Sequence, residues 1–177
     1  MSKILQKLRG GDLRSIGKAD EVVQDILKNP SLFKDCFEGM LNDDPIIRMR
    51  SADAIEKVSA KHPEYLQLFK SRLINEVSKT EQQEVRWHVA QMFSYIKINK
   101  KERDKIMKIL LCYIEKEKSK IVQTFSMQTL ADFAERDENI RPQIIKIIKS
   151  LMKKGSPATI SRGNRLLAKY NIHSKNH

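Results

Sequence analysis

Few residues in this chain have the type and spacing that chemistry requires. Cys36 and Cys112 are its two cysteines, and the four histidines show no Cys-x-x-Cys or His-x-x-x-His spacing, so no metal site is expected. Each cysteine falls on the apolar side of a predicted helix and reads as a buried free thiol rather than half of a disulfide. No glycine-rich phosphate-cradle motif, no nucleophile elbow and no recognisable pair of carboxylates is found. His88 adjoins Arg86 and Trp87 on a helix flank, a setting in which a lone histidine is usually structural. The expectation is a protein that is not an enzyme, with no catalytic residue, no cofactor and no small-molecule substrate.

Charge carries the strongest functional signal. The net charge is +12 over 177 residues, with 34 Lys/Arg against 22 Asp/Glu. From residue 139 onward there are nine Lys/Arg and no Asp/Glu, so the preceding 138 residues carry only +3. Lys146, Lys149 and Lys153 form one stripe at helical spacing, opposite Ile144, Ile147, Ile148 and Leu151. Arg162, Arg165 and Lys169 form a second, opposite Ile160, Leu167 and Tyr170, with Arg141 and Lys154 adding to the field. Such stripes attract phosphates or acidic partners. Aromatic side chains for base stacking are sparse there, Tyr170 being the one available, so nucleic-acid binding would be salt-dependent and weakly sequence-specific. No apolar run approaches the ~18 residues of a membrane span. Met1–Leu8 lacks a signal-peptide core, so a cytoplasmic location is expected.

The elements that must position these residues are helices throughout. Apolar residues recur with a 3.6 period, and no stretch alternates long enough for a strand. Gly10-Gly11 breaks a short N-terminal helix, and the periodicity predicts further helices over 13–28, 31–41, 45–62, 65–78, 85–97, 103–116, 121–135, 141–154 and 156–170. Asn29-Pro30, Asp44-Pro45 and Ser156-Pro157 look like helix starts, and His62-Pro63 looks like a stop. Thr80-Glu81-Gln82-Gln83 fits a capping box. The polar tail from 172 is expected to fray.

A repeat organises these helices. Ile47-Arg48-Met49-Arg50-Ser51-Ala52-Asp53-Ala54-Ile55 has weaker copies starting at Val85, Val122 and Ile160, at spacings of 38, 37 and 38. The second copy keeps Arg86 and Ala90; the third keeps Ser126 and Leu130 but has Gln123 for Arg; Gly163 and Arg165 disturb the fourth. This pattern closely resembles the HEAT-repeat (armadillo-like) family over about residues 13–170. The resemblance implies a single all-α domain, a right-handed superhelix of about four and a half helical hairpins, with a cap over 1–28 and repeats at 29–62, 63–99, 100–137 and 138–171. One hairpin cannot bury its apolar face alone, and stacking neighbours fuses those faces into a core. Small, uncharacterised bacterial HEAT-repeat proteins are similar, but they imply no activity.

In that family the second helix of each pair lines the concave face. Stepping 100° per residue from Ile47 puts Ser51, Ala54, Ile55 and Val58 in the core and Met49, Asp53 and Glu56 toward solvent. The same reckoning exposes Trp87, Gln91 and Ser94, then Thr124 and Gln128, and finally Arg162, Arg165 and Lys169. Met49, Asp53, Trp87, Gln91, Thr124 and Gln128 are therefore the candidate residues for gripping a protein partner. Arg48 and Arg86 occupy the family's repeat-to-repeat arginine position, where bonds to carboxylates or to loop carbonyls such as those around Asp43 and Asp44 are expected. HEAT-like DNA alkylation-repair glycosylases use an aspartate among aromatics in a basic cleft, and Asp53 near Trp87 is the analogue here. The chain is short, has one tryptophan and lacks their pattern elsewhere, so that activity is not expected. A protein-binding scaffold is the leading expectation, and nucleic-acid binding by the basic C-terminal repeat is the alternative.

Overall fold

The helical period translates directly into structure: the computed structural model, which describes residues 2–173 with side-chain surroundings to 170, holds eleven α-helices, two 3-10 turns and no strand among the described residues. The chain divides into two compact units, Met1–Lys97 and Ile98–His177. The division falls just before the expected start of the third repeat.

In the first unit, α1 (Lys3–Lys7), α2 (Ala19–Lys28) and α3 (Leu32–Gly39) lead to α4 (Pro45–Lys61), followed by α5 (Pro63–Gln67), α6 (Lys70–Asn75) and α7 (Gln83–Met92). Asp44 starts α4 as expected, its side chain accepting from the Ile46 N–H at 2.8 Å. Helix α4 is the centre of the unit and packs against α2, α3, α5 and α7. Gly39 and Ser51 make the α3–α4 approach close, since a Cβ on Gly39 would lie 2.1 Å from Ser51 Oγ.

Three local expectations fail here for identifiable reasons. Helix α2 begins at Ala19 rather than 13, because the segment between α1 and α2 runs through Gly10, Gly11 and Gly17 at positive φ and wraps over the Arg50 side chain. The helix expected over 65–78 breaks at Leu68, which is 84% exposed, into α5, α6 and a 3-10 turn. Gln83 makes no capping box with Thr80; Gln82 precedes α7, and its side chain accepts from Arg48 and donates to the Pro45 carbonyl. A capping box does form at Asn99 and Glu102, where the sequence pattern uses Asn in place of the usual Ser or Thr.

The second unit contains α8 (Lys100–Lys116), α9 (Lys120–Arg136), α10 (Arg141–Lys154) and α11 (Pro157–His173). Here α9 takes the central place, packing against α8, α10 and α11. The Ser156 hydroxyl accepts from the Thr159 N–H at 3.2 Å, as the Ser-Pro start implies. Helix α11 extends to His173, beyond the point where fraying is expected, and residues 174–177 lie outside the described residues.

Burial refines the repeat. Ile47, Val85 and Val122 are fully buried, but Ile160 is 38% exposed and Thr159 takes its place. The fourth copy therefore starts one residue early, 37 after Val122. In that frame Ser51, Val89, Ser126 and Gly163 share one buried position of the repeat, and Val58, Ile96, Phe133 and Tyr170 share another. Gly163, which reads as a disturbance in sequence, is where α10 closes on α11: a Cβ there would meet Met152 Sδ at 2.5 Å.

Candidate functional site

The position after each repeat start has one job in three copies. Arg48 donates from Nη1 to the Asn42 and Asp43 carbonyls at 2.8 and 2.9 Å. Arg86 donates to the Thr80 carbonyl at 2.7 Å, and Gln123 to the Glu117 carbonyl at 2.7 Å. Each reaches back six residues to fasten the turn that precedes its own helix. Of the two kinds of partner expected for Arg48 and Arg86, loop carbonyls are the ones engaged here, and Gln123 makes the equivalent bond in the third copy.

The candidate partner face of the first unit is mostly closed. Met49 and Asp53 are expected in solvent, yet they are 5% and 7% exposed. The reason is that α4 is flanked by both α2 and α7, so its sides are covered as well as its inner face. Asp53 is engaged by Lys57, with Nζ 2.8 Å from Oδ2, and Lys57 also bonds Asp20 at 2.7 Å. His88 Nε2 lies 4.0 Å from Asp53 Oδ1, and His88 Nδ1 has no partner among the described residues. Burial, reinforced by the charge on Lys57, pushes the His88 pKa down to about 3, so the ring is neutral at physiological pH. Glu56, expected in solvent, is half-buried and accepts from the Tyr95 hydroxyl at 2.6 Å. Burial raises its pKa above the usual carboxylate value. Trp87 and Gln91 are half-buried and keep accessible surface.

In the second unit Thr124 and Gln128 are half-buried and already committed. The Thr124 hydroxyl donates to the Lys120 carbonyl at 2.7 Å, and the Gln128 amide donates to Asp132 at 2.8 Å while its oxygen accepts from Arg162 at 2.9 Å.

The two basic stripes fare differently. Lys146, Lys149 and Lys153 are exposed, and unpaired among the described residues, on the side of α10 away from buried Ile144 and Ile148. On α11, Arg165 is likewise exposed and unpaired, but Arg162 is half-buried, its guanidinium 6.0 Å from the Phe125 ring centroid. Lys169 pairs with Glu135 at 3.0 Å, and Arg141 with Glu138 at 3.0 Å. The acid-free stretch thus borrows its counter-charges from residues just before it. Tyr170 is no stacking platform: it is 6% exposed and its hydroxyl donates to the Ala131 carbonyl at 3.0 Å. Burial pushes its pKa up to about 12.

Sequence reading misses a third set of cations. Lys100, Lys101 and Lys108 are exposed, and unpaired among the described residues, on α8. The interspersed Glu102 and Asp104 hide them, although Glu102 is spent on the capping box and Asp104 on Arg103. Arg103 also pairs with Asp137, which ties the first turn of α8 to the turn that starts α10. Counted by unit, residues 98–177 hold 18 of the 34 Lys/Arg and 8 of the 22 Asp/Glu, which places +10 of the +12 there.

No family model, curated protein or solved structure matches this chain. Among the described residues no group of three or more His, Cys, Asp or Glu could hold a metal ion, and no helix is long and apolar enough to cross a membrane. Cys36 and Cys112 are free thiols; burial pushes the Cys36 pKa up to about 12, whereas Cys112 is half-buried.

Proposed function

We propose that the chain is a non-catalytic, HEAT-like helical-repeat protein whose second unit binds nucleic acid through its phosphates without reading sequence. The observation that carries this reading is the group of exposed cations on that unit with no partner among the described residues, which includes Lys100, Lys101 and Lys108 on α8, Lys146, Lys149 and Lys153 on α10, and Arg165 on α11. Phosphate contacts supply affinity and orientation, and sequence is read only where side chains reach base edges. Lysine-rich faces with Tyr170 withdrawn into the core favour a duplex backbone over stacked single strands. The HEAT-like superhelix is supported by the periodic carbonyl clamps and by α4 packing on α7 and α9 on α11, one repeat apart.

Anisotropy titrations against duplex DNA, single-stranded DNA and RNA at two salt concentrations test it. The triple variant Lys146→Glu, Lys149→Glu, Lys153→Glu is expected to lower the slope of log K against log salt by about 0.9 for each duplex phosphate that goes without its cation, up to about 3 in all. Equal slopes for the wild type and the variant, or no binding at low salt, would overturn the proposal. A protein partner is the second reading, favoured by Trp87, the one tryptophan of the chain, which keeps accessible surface beside Gln91 on α7. Capture of a stoichiometric protein that Trp87→Ala abolishes, with no nucleic acid recovered, would favour it over the first.

A further inference from the structure

The segment between α1 and α2 is built around a buried charge that no carboxylate compensates. Arg50 lies in the first half of α4 and is 3% exposed. Its Nε donates to the Ser15 carbonyl at 3.0 Å, and Nη1 faces the carbonyls of Leu8, Arg9 and Gly10 at 2.9, 3.3 and 2.7 Å. Nη2 has a single long bond, 3.4 Å to the Asp12 carbonyl, which leaves one of its two hydrogens without an acceptor among the described residues. Gly11 lies directly over that nitrogen, where a Cβ would be 3.1 Å away, and Gly17 covers the guanidinium carbon, where a Cβ would be 2.6 Å away. Carbonyl dipoles solvate the charge but do not neutralise it.

Above this floor the segment encloses an open hollow of about 520 Å³, lined by Lys7, Arg9, Lys18 and Arg50 and by Gly10 and Gly11. Asp12 is the one acid in the lining; its carboxylate accepts from the Arg14 N–H at 2.8 Å and lies 3.8 Å from the Arg14 guanidinium. Lys7 is paired with Asp25, and Lys18 lies 3.9 Å from Glu21. Arg9 is exposed and has no partner among the described residues. The backbone N–H groups of Gly10, Gly11 and Asp12, all in the lining, make no hydrogen bond to any described residue. Consecutive free amides in turn conformations, over a fixed positive charge, are an arrangement that holds oxyanions.

We propose that this hollow binds a phosphate group, either as the free ion or as the terminus of a small phosphate monoester. The anion rests over Arg50 and Gly11, Arg9 and Lys18 close the rim, and the free amides supply donors. The volume lies in the range of small-molecule sites and accommodates a nucleoside monophosphate. The site is on the first unit and is independent of the lysine faces proposed above for nucleic acid.

The test is an amide-resolved NMR titration of the full chain with inorganic phosphate, AMP and adenosine. Saturable shifts confined to residues 7–18 and to the turn of α4 around Arg50 are expected with phosphate and with AMP, and none with adenosine. Equal affinity for the first two identifies the free ion as sufficient, and tighter AMP binding identifies the ester. The double variant Arg9→Gln, Lys18→Gln changes only exposed side chains, so it folds, and it is expected to weaken binding about tenfold, as removal of two surface charges from the rim implies. Absence of saturation by ~10 mM of either anion, or unchanged affinity in the double variant, would overturn the site. The lysine triple variant on α10 should leave these shifts intact, which separates failure here from failure of the nucleic-acid reading.

Discussion

Replacing Arg50 is the sharpest probe of how the first unit is held together. Arg50→Met keeps most of the side-chain volume and removes the guanidinium. Hydrogen bonds from a charged donor are each worth roughly 1.5–3 kcal/mol net, and four carbonyls lie within 3.3 Å of the Arg50 donors. Not all of that is forfeited. Arg9, Gly10 and Ser15 are exposed residues whose carbonyls can regain water, whereas the bond to Leu8 is buried and its carbonyl would be left dry. Relief of the desolvated charge offsets part of the loss. The balance is a destabilisation of about 3 kcal/mol, within a range of about 2–5 kcal/mol. Arg50→Lys should fall between the two, because three donors on one nitrogen cannot span carbonyls arranged around a fork. Urea denaturation measures the stability. Trypsin measures the local consequence, since Arg9, Arg14 and Lys18 are exposed in the segment that Arg50 fastens. The reasoning fails if Arg50→Met costs less than about 1 kcal/mol and nicking at Arg14 is no faster than in the wild type.

Three further outcomes follow from the packing and the titrations. Gly39→Ala should destabilise by about 1–3 kcal/mol, against the usual gain of alanine over glycine in a helix, because the added Cβ meets Ser51 Oγ and Leu5 Cδ2; a raised Tm would contradict the close α3–α4 approach. Because the folded-state pKa of His88 is depressed to about 3 from 6.5, its contribution is fully present above pH 6.5 and is lost as pH falls toward 3, at up to ~1.4 kcal/mol per pH unit. The raised pKa of Glu56 acts in the opposite sense just above its ordinary value, so comparing urea midpoints of wild type and His88→Gln across this window isolates the histidine; parallel profiles would remove it as the cause. A thiol reagent at neutral pH should label native Cys112 and spare buried Cys36, whose pKa of about 12 keeps it protonated; labelling of both at equal rates would show that α3 opens readily.

Helix identity was legible because apolar spacing alone decides it, and the turn clamps were legible at Arg48 and Arg86 because they recur at a fixed place in the repeat. Burial on α4 was not. A helical wheel assigns one dry face, but α4 is enclosed on three sides, and Met49 and Asp53 lie on flanks that only the presence of α2 and α7 covers. Aspartate at a covered position is tolerated because Lys57, one turn on, accompanies it. The segment over Arg50 escaped for a related reason. Nothing local marks an arginine in a run of Ala and Ser as a hub, since its partners are carbonyls that lie 35 or more residues earlier and carry no residue signature. The fourth repeat slipped by one residue because Thr159 and Gly163 look polar or helix-breaking in sequence, while in the fold they are the two small groups that let α11 close on its neighbours.

That one-residue slip bears on function as well as on packing. It turns Arg162 from the centre of a solvent stripe into the counterpart of Arg50, His88 and Phe125, a repeat position that is buried or half-buried in each copy. Arg162 accordingly bonds Gln128 across helices, and Lys169 bonds Glu135 at the same separation of 34 residues. These two charges are spent on stacking α11 against α9, and a phosphate would have to displace a protein partner to reach them. The α10 lysines have no such commitment, because α10 presents them on the side away from α9 and α11, where no acid occurs in its sequence. Formal charge therefore overstates the surface available to a polyanion. If phosphates are bound there, the salt slope should respond to Lys146, Lys149 and Lys153 by about 0.9 each and to Lys169→Gln by much less. A larger effect from Lys169 than from any α10 lysine would mean that its pair with Glu135 is not maintained in solution and that the α11 face carries the binding.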